Sequence, residues 1–271
     1  MRIVTALVHE AKPLIERYSL KKVGGNLMFP IYQNKNSFLI ISGIGKINSA
    51  IATAYLHFKS GELNSQPFLN IGIAGHHRPM LGVAVIANKI TDHSTGKSLY
   101  PPQIVFDSVT RSPLITVNEV ETRYKDDAAY DMEAYGYYSS AVKVTTAKLV
   151  QSLKIISDHP DHSVITLDPQ RIESLIRNRM DEIDEFLQRL QLLSASIARD
   201  RIESYDLETF FLRWHFTVSQ RHQLRKIIKR WMLLIKEEHP MSVIPEDCAN
   251  ANQAISILES TLLARPLDLH K

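Results

Sequence analysis

Two acidic segments flank an apolar run near the middle of this 271-residue chain: Asp131-Met132-Glu133-Ala134 and Ile155-Ile156-Ser157-Asp158. Two carboxyls brought to one site can divide acid–base chemistry between them. An ionised one accepts hydrogen bonds and stabilises developing positive charge. The other, kept protonated by apolar neighbours such as Ile155 and Ile156, delivers a proton. A third carboxyl, Glu10, follows the strand-like run Ile3 to Val8, with His9 beside it. Each also has a plain structural reading: Glu133 as a charge at a helix start, Ser157 or Asp158 as a cap ahead of Pro160, and Glu10 as an exposed loop charge. Metal chemistry is poorly supplied. His76-His77 and His159-Pro160-Asp161-His162 lack helical i,i+4 placement and a cysteine pair, so no metal is expected. There is no Gly-x-Ser-x-Gly elbow, and the single cysteine, Cys248, lies outside every motif, which argues against a covalent nucleophile.

Three further segments accompany the acids in a fixed order: Met1 to Ile15, Ser42-Gly43-Ile44-Gly45-Lys46-Ile47-Asn48, and Asn70-Ile71-Gly72-Ile73-Ala74-Gly75. Over roughly residues 1 to 165 the set resembles the nucleoside phosphorylase and methylthioadenosine/S-adenosylhomocysteine nucleosidase superfamily. The resemblance implies cleavage of an N-glycosidic bond, in which the ribose gains positive and the departing base negative charge. It implies that Glu133 bonds the ribose hydroxyls, with Met132 beneath the sugar, and that Asp158 protonates a purine nitrogen. Glu10 would activate water from a loop after the first strand, although alignment on Leu14-Ile15 places Ala11 there instead. Gly72, Ile73 and Gly75 are expected beside the ribose, and Val117 begins a stretch to Val120 that should wall the base. No cofactor is expected.

Within such a superfamily the attacking group is phosphate or water. The positions that resemble a phosphate-holding arginine and hydroxyl are Asn70 and Ile73 here, and an acidic Glu10 repels an anion while it assists water. Hydrolysis is the better reading; the alternatives are a phosphate-dependent phosphorylase and a catalytically reduced nucleoside- or nucleic-acid-binding module.

The elements that must position these residues read as an α/β fold. Strands are expected at Ile3–Val8, Leu27–Tyr32, Phe38–Ser42, Phe68–Ala74, Val83–Ala87, Ile104–Phe106, Leu114–Val117 and Leu153–Ile156. Ile47, Ile51, Ala54, Tyr55 and Phe58 mark a helix entered through the Gly43 to Gly45 turn, and Val83 to Pro102 contains a polar loop that is long enough to cover a pocket or reach another subunit, or is a plain surface excursion. The resemblance implies a three-layer phosphorylase/hydrolase-like sandwich around a twisted mixed sheet, completed in a catalytic domain of residues 1–200 by one long amphipathic helix through Ile172, Ile176, Ile183 and Leu190.

Residues 201–271 fall outside the resemblance and read as an all-helical appendage, with helices at Leu207–Phe216, Val218–Lys236 and Ala251–Leu263. The middle one is basic: Arg221, Arg225, Lys226, Lys229, Arg230 and Lys236 share it with no acid from Thr217 to Lys236. Such a face suits nucleic acid or an acidic protein, or is simply the solvated back of a packing helix. Composition is that of a soluble protein, 44% hydrophobic and 23% charged with a net charge of +3, too small a charge to name a partner. No apolar run nears the roughly 20 residues of a membrane span, no signal-like segment precedes the first strand, and one cysteine suits a reducing cytoplasm. A homo-oligomer, a dimer above all, is expected from the resemblance.

Overall fold

The computed structural model describes residues 1–61, 66–78, 80–103, 109–160, 168–235 and 238–264, without the side chains of 198–206 and 233. Two compact units divide the chain, Met1–Ser194 and Ala195–Lys271. The first runs β1 (Arg2–Thr5), α1 (Val8–Arg17), β2 (Lys21–Lys22), β3 (Ile31–Gln33), β4 (Phe38–Ile41), α2 (Lys46–Lys59), β5 (Phe68–His76), β6 (Ala84–Asp92), β7 (Ser98–Leu99), β8 (Thr110–Thr116), β9 (Ala129–Asp131), α3 (Ala134–Ala141), β10 (Val150–Asp158), α4 (Pro169–Arg177) and the start of α5 (Met180–Arg213).

Side chains that alternate along a strand go to opposite faces, and here each face finds its own core. Ile3, Leu39, Leu69, Ile71, Leu153 and Ile155 join Leu14 of α1, Ile176 of α4 and Ile183 and Phe186 of α5 in one core. Val4, Ile40, Phe68, Val150 and Ile156 join Ala52 and Leu56 of α2 and Tyr137 and Tyr138 of α3 in the other. The sheet is mixed, so the unit is α/β with helices on both faces. β1 pairs in parallel with β4 and β5, and β5 in parallel with β10, whereas β10–β6 and β5–β9 are antiparallel. With β6–β8 and β8–β9 these pairings close a circuit, β5–β9–β8–β6–β10 and back to β5. A strand register in such a circuit fixes every side chain on its rim.

Several expected elements differ in extent. The strand expected at Val83–Ala87 runs to Asp92 and folds back on β7, so most of the supposed polar loop is a hairpin. Val85, Ile86 and Ile90 supply the buried positions that a loop would not. The strand expected at Ile104–Phe106 lies outside the described residues. On α2 the apolar residues that signal the helix are its outer side: Ile47, Ile51 and Phe58 are exposed, and the small Ser49, Ala52 and Thr53 are buried with Leu56. The single long helix expected after Pro169 is broken between α4 and α5, where Arg179 Nε donates to Gly82 O at 2.6 Å. The helix expected at Leu207–Phe216 is instead the end of α5.

The second unit also contains α6 (Val218–Leu234) and α7 (Ala251–Ala264). Thr217 opens α6 with a capping box: its hydroxyl accepts from Gln220 N, and Gln220 Oε1 accepts from Thr217 N at 2.7 Å. Leu224, Ile228 and Trp231 turn inward to a core with Phe210, Trp214, Ile255 and Leu258, while Arg221, Arg225, Lys226, Lys229 and Arg230 are exposed. Arg221 also stacks on Phe211, its guanidinium carbon 4.8 Å from the ring centroid. Lys236 lies outside the described residues. Among those described, no helix is long and apolar enough to cross a membrane.

Candidate active site

Three carboxyls from three separate elements line one cavity of about 190 Å³: Glu10 from the first turn of α1, Glu133 at the β9–α3 junction, and Asp158 at the end of β10. Ile73, Gly75, Val117 and Met132 line it too. The parallel pairing of β10 with β5 sets Asp158 beside Gly75, and the β5–β9 pairing sets Gly75 beside Tyr130. Ala6, Leu7, Ile44 and Val120 add an apolar side, with Ile44 and Val120 exposed at the mouth.

Glu10 is not on a loop. It occupies the third position of α1, where an acid can satisfy the free N–H groups of a helix start. Its Oε2 accepts from Ala6 N and Leu7 N, each at 2.9 Å, and its Oε1 accepts from Ile73 N at 2.9 Å. Burial pushes its pKa up, opposed by the charge of Lys154 and by these backbone bonds. Gly72, expected as a lining residue, is not on the cavity wall. A Cβ there would lie 2.6 Å from Glu10 Oε1, so the missing side chain makes room for the carboxyl rather than for a ligand.

Glu133 Oε1 accepts from Gly45 N at 2.9 Å, joining the glycine turn before α2 to the acidic segment. Burial raises its pKa to about 7, with Asp131 and Glu10 pushing the same way and Lys154 opposing. Asp131 is occupied structurally: its Oδ1 accepts from Thr116 Oγ1 at 2.7 Å and its Oδ2 from Ala134 N at 2.8 Å, which starts α3. Asp131 also pairs with Lys154 at 2.9 Å, both side chains almost wholly buried.

Lys154, next to these acids, is the residue that sequence reasoning passed over. It stands on β10 within Leu153-Lys154-Ile155-Ile156, and a lysine in a fully buried strand needs anionic partners to remain charged. Its pKa is raised: burial lowers it, and Asp131, Glu133 and Glu10 together outweigh that. One cation thus neutralises part of a cluster of three acids. The lone charge in an apolar run was the available signal.

Asp158 is 8% exposed and accepts two hydroxyls, Ser157 Oγ on Oδ1 at 2.5 Å and Tyr124 Oη on Oδ2. Tyr124 and Glu121, also on the wall, come from the segment between β8 and β9, which carries no strand or helix periodicity to mark it. Asn70, set where a phosphate-holding arginine would stand, is turned away: its Nδ2 donates to Val4 O and its Oδ1 accepts from Ser152 Oγ. The histidine pair is also engaged, His76 Nε2 with Ser112 Oγ at 3.2 Å and His77 Nδ1 with Tyr124 O at 2.6 Å. Of the second histidine segment, Asp161 and His162 lie outside the described residues.

No protein-family profile matches the chain, and no curated protein matches it by sequence. Solved structures do match. The 5'-methylthioadenosine/S-adenosylhomocysteine nucleosidase of S. pneumoniae, determined with a transition-state inhibitor, aligns with a TM-score of 0.54 at 16% identity, covering 69% of this chain and 97% of that one. The 5'-methylthioadenosine nucleosidase of Arabidopsis thaliana aligns at 0.55 and 14%, covering 69% and 94%. A futalosine hydrolase mutant of Helicobacter pylori aligns at 0.54 and 14%, covering 69% and 98%. At these identities the likeness is one of fold: the chain has the fold shared by these nucleosidases and the futalosine hydrolase.

Proposed function

We propose that the protein is an N-ribosyl hydrolase acting on a purine nucleoside or a 5'-modified relative. The observation that carries this is the convergence of Glu10, Glu133 and Asp158 on one cavity from three elements. Glu133 offers acceptors to the vicinal ribose hydroxyls and stabilises the cationic sugar, Asp158 delivers a proton to the departing base, and Glu10 takes one from the attacking water. Met132, Ile73, Gly75 and Val117 form the walls around sugar and base. The chemistry needs no cofactor. Water is favoured over phosphate because the lining holds four carboxyls besides Glu121 and no lysine or arginine, and the buried Lys154 is already paired with Asp131.

The same domain, residues 1–200, is proposed to be a three-layer sandwich sufficient for turnover, with 201–271 as its helical appendage. A homodimer fits the exposed Ile44, Ile47, Ile51 and Phe58 around the start and outer side of α2, an apolar strip of the kind that subunits cover. A cytoplasmic setting fits the single cysteine. The basic face of α6 is the place for any nucleic-acid or acidic-protein partner.

The deciding experiment is a panel of adenosine, inosine and 5'-deoxy or 5'-thio nucleosides, assayed with and without phosphate. Turnover independent of phosphate is expected. Strict dependence on phosphate would make the protein a phosphorylase, and nucleoside binding without any turnover would make it a binding module.

A further inference from the structure

Tyr124 holds Asp158 in a manner that the proposed reaction does not use. Its hydroxyl donates to Asp158 Oδ2, its ring lies against Tyr130 with centroids 5.2 Å apart, and the side chain is buried while lining the cavity. The space it fills exists because residue 75 is glycine: a Cβ there would collide with the Tyr124 hydroxyl and ring carbons. Gly75 is itself a lining residue between β9 and β10, so the phenol occupies the part of the cavity that borders Asp158.

The backbone is constrained to match. Tyr124 has φ of 40°, a left-handed conformation unfavourable for a bulky side chain, and its carbonyl accepts from His77 Nδ1 at 2.6 Å. The neighbouring ion pair Arg78–Asp127 ties the same segment to the end of β5. Strain held by several contacts at a cavity wall points to a device with more than one position. With Ser157 on the other oxygen, both carboxyl oxygens of Asp158 are already engaged by hydroxyls.

Resting on the nucleosidase reading, we propose that Tyr124 is a built-in competitor for the nucleobase, which must displace the Tyr124 hydroxyl from Asp158 Oδ2 and the ring from its place over Gly75. The phenol thereby bars the part of the cavity that borders Asp158 until a base of adequate shape replaces it. A base too small to displace the ring leaves Asp158 engaged, so Tyr124 contributes to specificity as well as to access.

Tyr124→Phe removes the bond and keeps the ring against Tyr130. In the full-length chain, calorimetric titration with adenine should give a dissociation constant lowered about tenfold, the scale of one hydrogen bond. KM for a cleaved nucleoside should fall with it while kcat stays within about threefold. Unchanged or weaker adenine binding, or a loss confined to kcat, overturns the proposal. Because the variant could fail to fold, the wild-type chain offers a second reading: hydrogen exchange over residues 117–128 should rise when adenine binds, and protection there overturns the idea. A wild type that cleaves nucleosides with Tyr124→Phe indistinguishable from it sinks the competitor alone. A wild type that neither binds adenine nor cleaves any nucleoside sinks the nucleosidase reading and the competitor together.

Discussion

At the scale of the residue, the three acids differ by surroundings rather than by type, and their variants should separate accordingly. Asp158→Asn preserves shape and removes the transferable proton, so kcat should fall by about 10²- to 10⁴-fold with little change in nucleoside affinity. Glu133→Gln should weaken both binding and turnover. Rates near wild type in both variants would dissolve the assignment. Glu133 also makes a prediction about stability. Its pKa rises from 4.5 to about 7 on folding, so the folded chain binds more protons than the unfolded one between those values. The stabilisation is complete below about pH 4.5 and is lost as pH rises through about 7. From this group alone, denaturant unfolding should report a chain more stable at pH 6 than at pH 8, by on the order of 1 kcal/mol. Glu133→Gln should flatten that difference, and an unchanged pH slope in the variant would refute the shift. Gly72→Ala, meanwhile, should displace the Glu10 carboxyl and cost both turnover and about 1–3 kcal/mol, because a methyl group takes its place and buried bonds to Ala6, Leu7 and Ile73 are lost. A variant with wild-type melting temperature and turnover would show that the carboxyl has room to spare.

At the scale of the element, β10 carries more of the site than its sequence announced. Its apolar run was legible as a strand and its end as the place of Asp158, but Lys154 within it is the cation around which Glu10, Asp131 and Glu133 gather. Lys154→Met keeps the volume and strands three acids without their cation, so unfolding free energy at pH 8 should fall by roughly 3–5 kcal/mol, the range for a broken buried pair. Acidification should recover part of it as the carboxyls take up protons. A variant as stable as wild type at pH 8 would mean that the acids are neutral there already. What pattern could not reveal was of two kinds. Glu10 reads as a loop acid because its helix begins at Val8, the last residue of the strand-like run, and α1 carries Pro13 inside it. The outer face of α2 reads as its core side because hydrophobic spacing marks a face without saying what covers it. The glycine and acidic segments were legible because their chemistry is local; Tyr124 was not, because its place depends on the partner strand having a glycine at position 75.

At the scale of the whole molecule, an α/β fold was expected from the alternation of strands and helices and its mixed sheet flanked by helices from the resemblance, whereas the closing of its strands into a circuit depends on pairings across long stretches of sequence. The cavity residues all lie between Ala6 and Asp158, within the first unit. Removal of residues 201–271 should therefore leave nucleoside turnover intact. Loss of all turnover in a soluble truncated chain with unchanged fold and oligomeric state would place the tail in the active site. Solubility must be compared before turnover is read. Neutralising Arg225, Lys226, Lys229 and Arg230 with glutamine tests the α6 face separately: salt-sensitive nucleic-acid binding by the intact chain, lost in the variant, would give that face a partner.

The strand that completes the circuit is also the last to leave the ribosome. β5, β6, β8 and β9 are all synthesised before β10, so until Val150–Asp158 emerges the nascent chain holds Glu10, Asp131 and Glu133 but neither Lys154 nor Asp158. A chain arrested before Val150 should stay open to protease attack, and a resistant one would contradict this order. Arrival of the proposed proton donor and neutralisation of the buried charge thus fall at the same moment of translation, and an unfinished chain lacks one wall of the cavity until its sheet is closed.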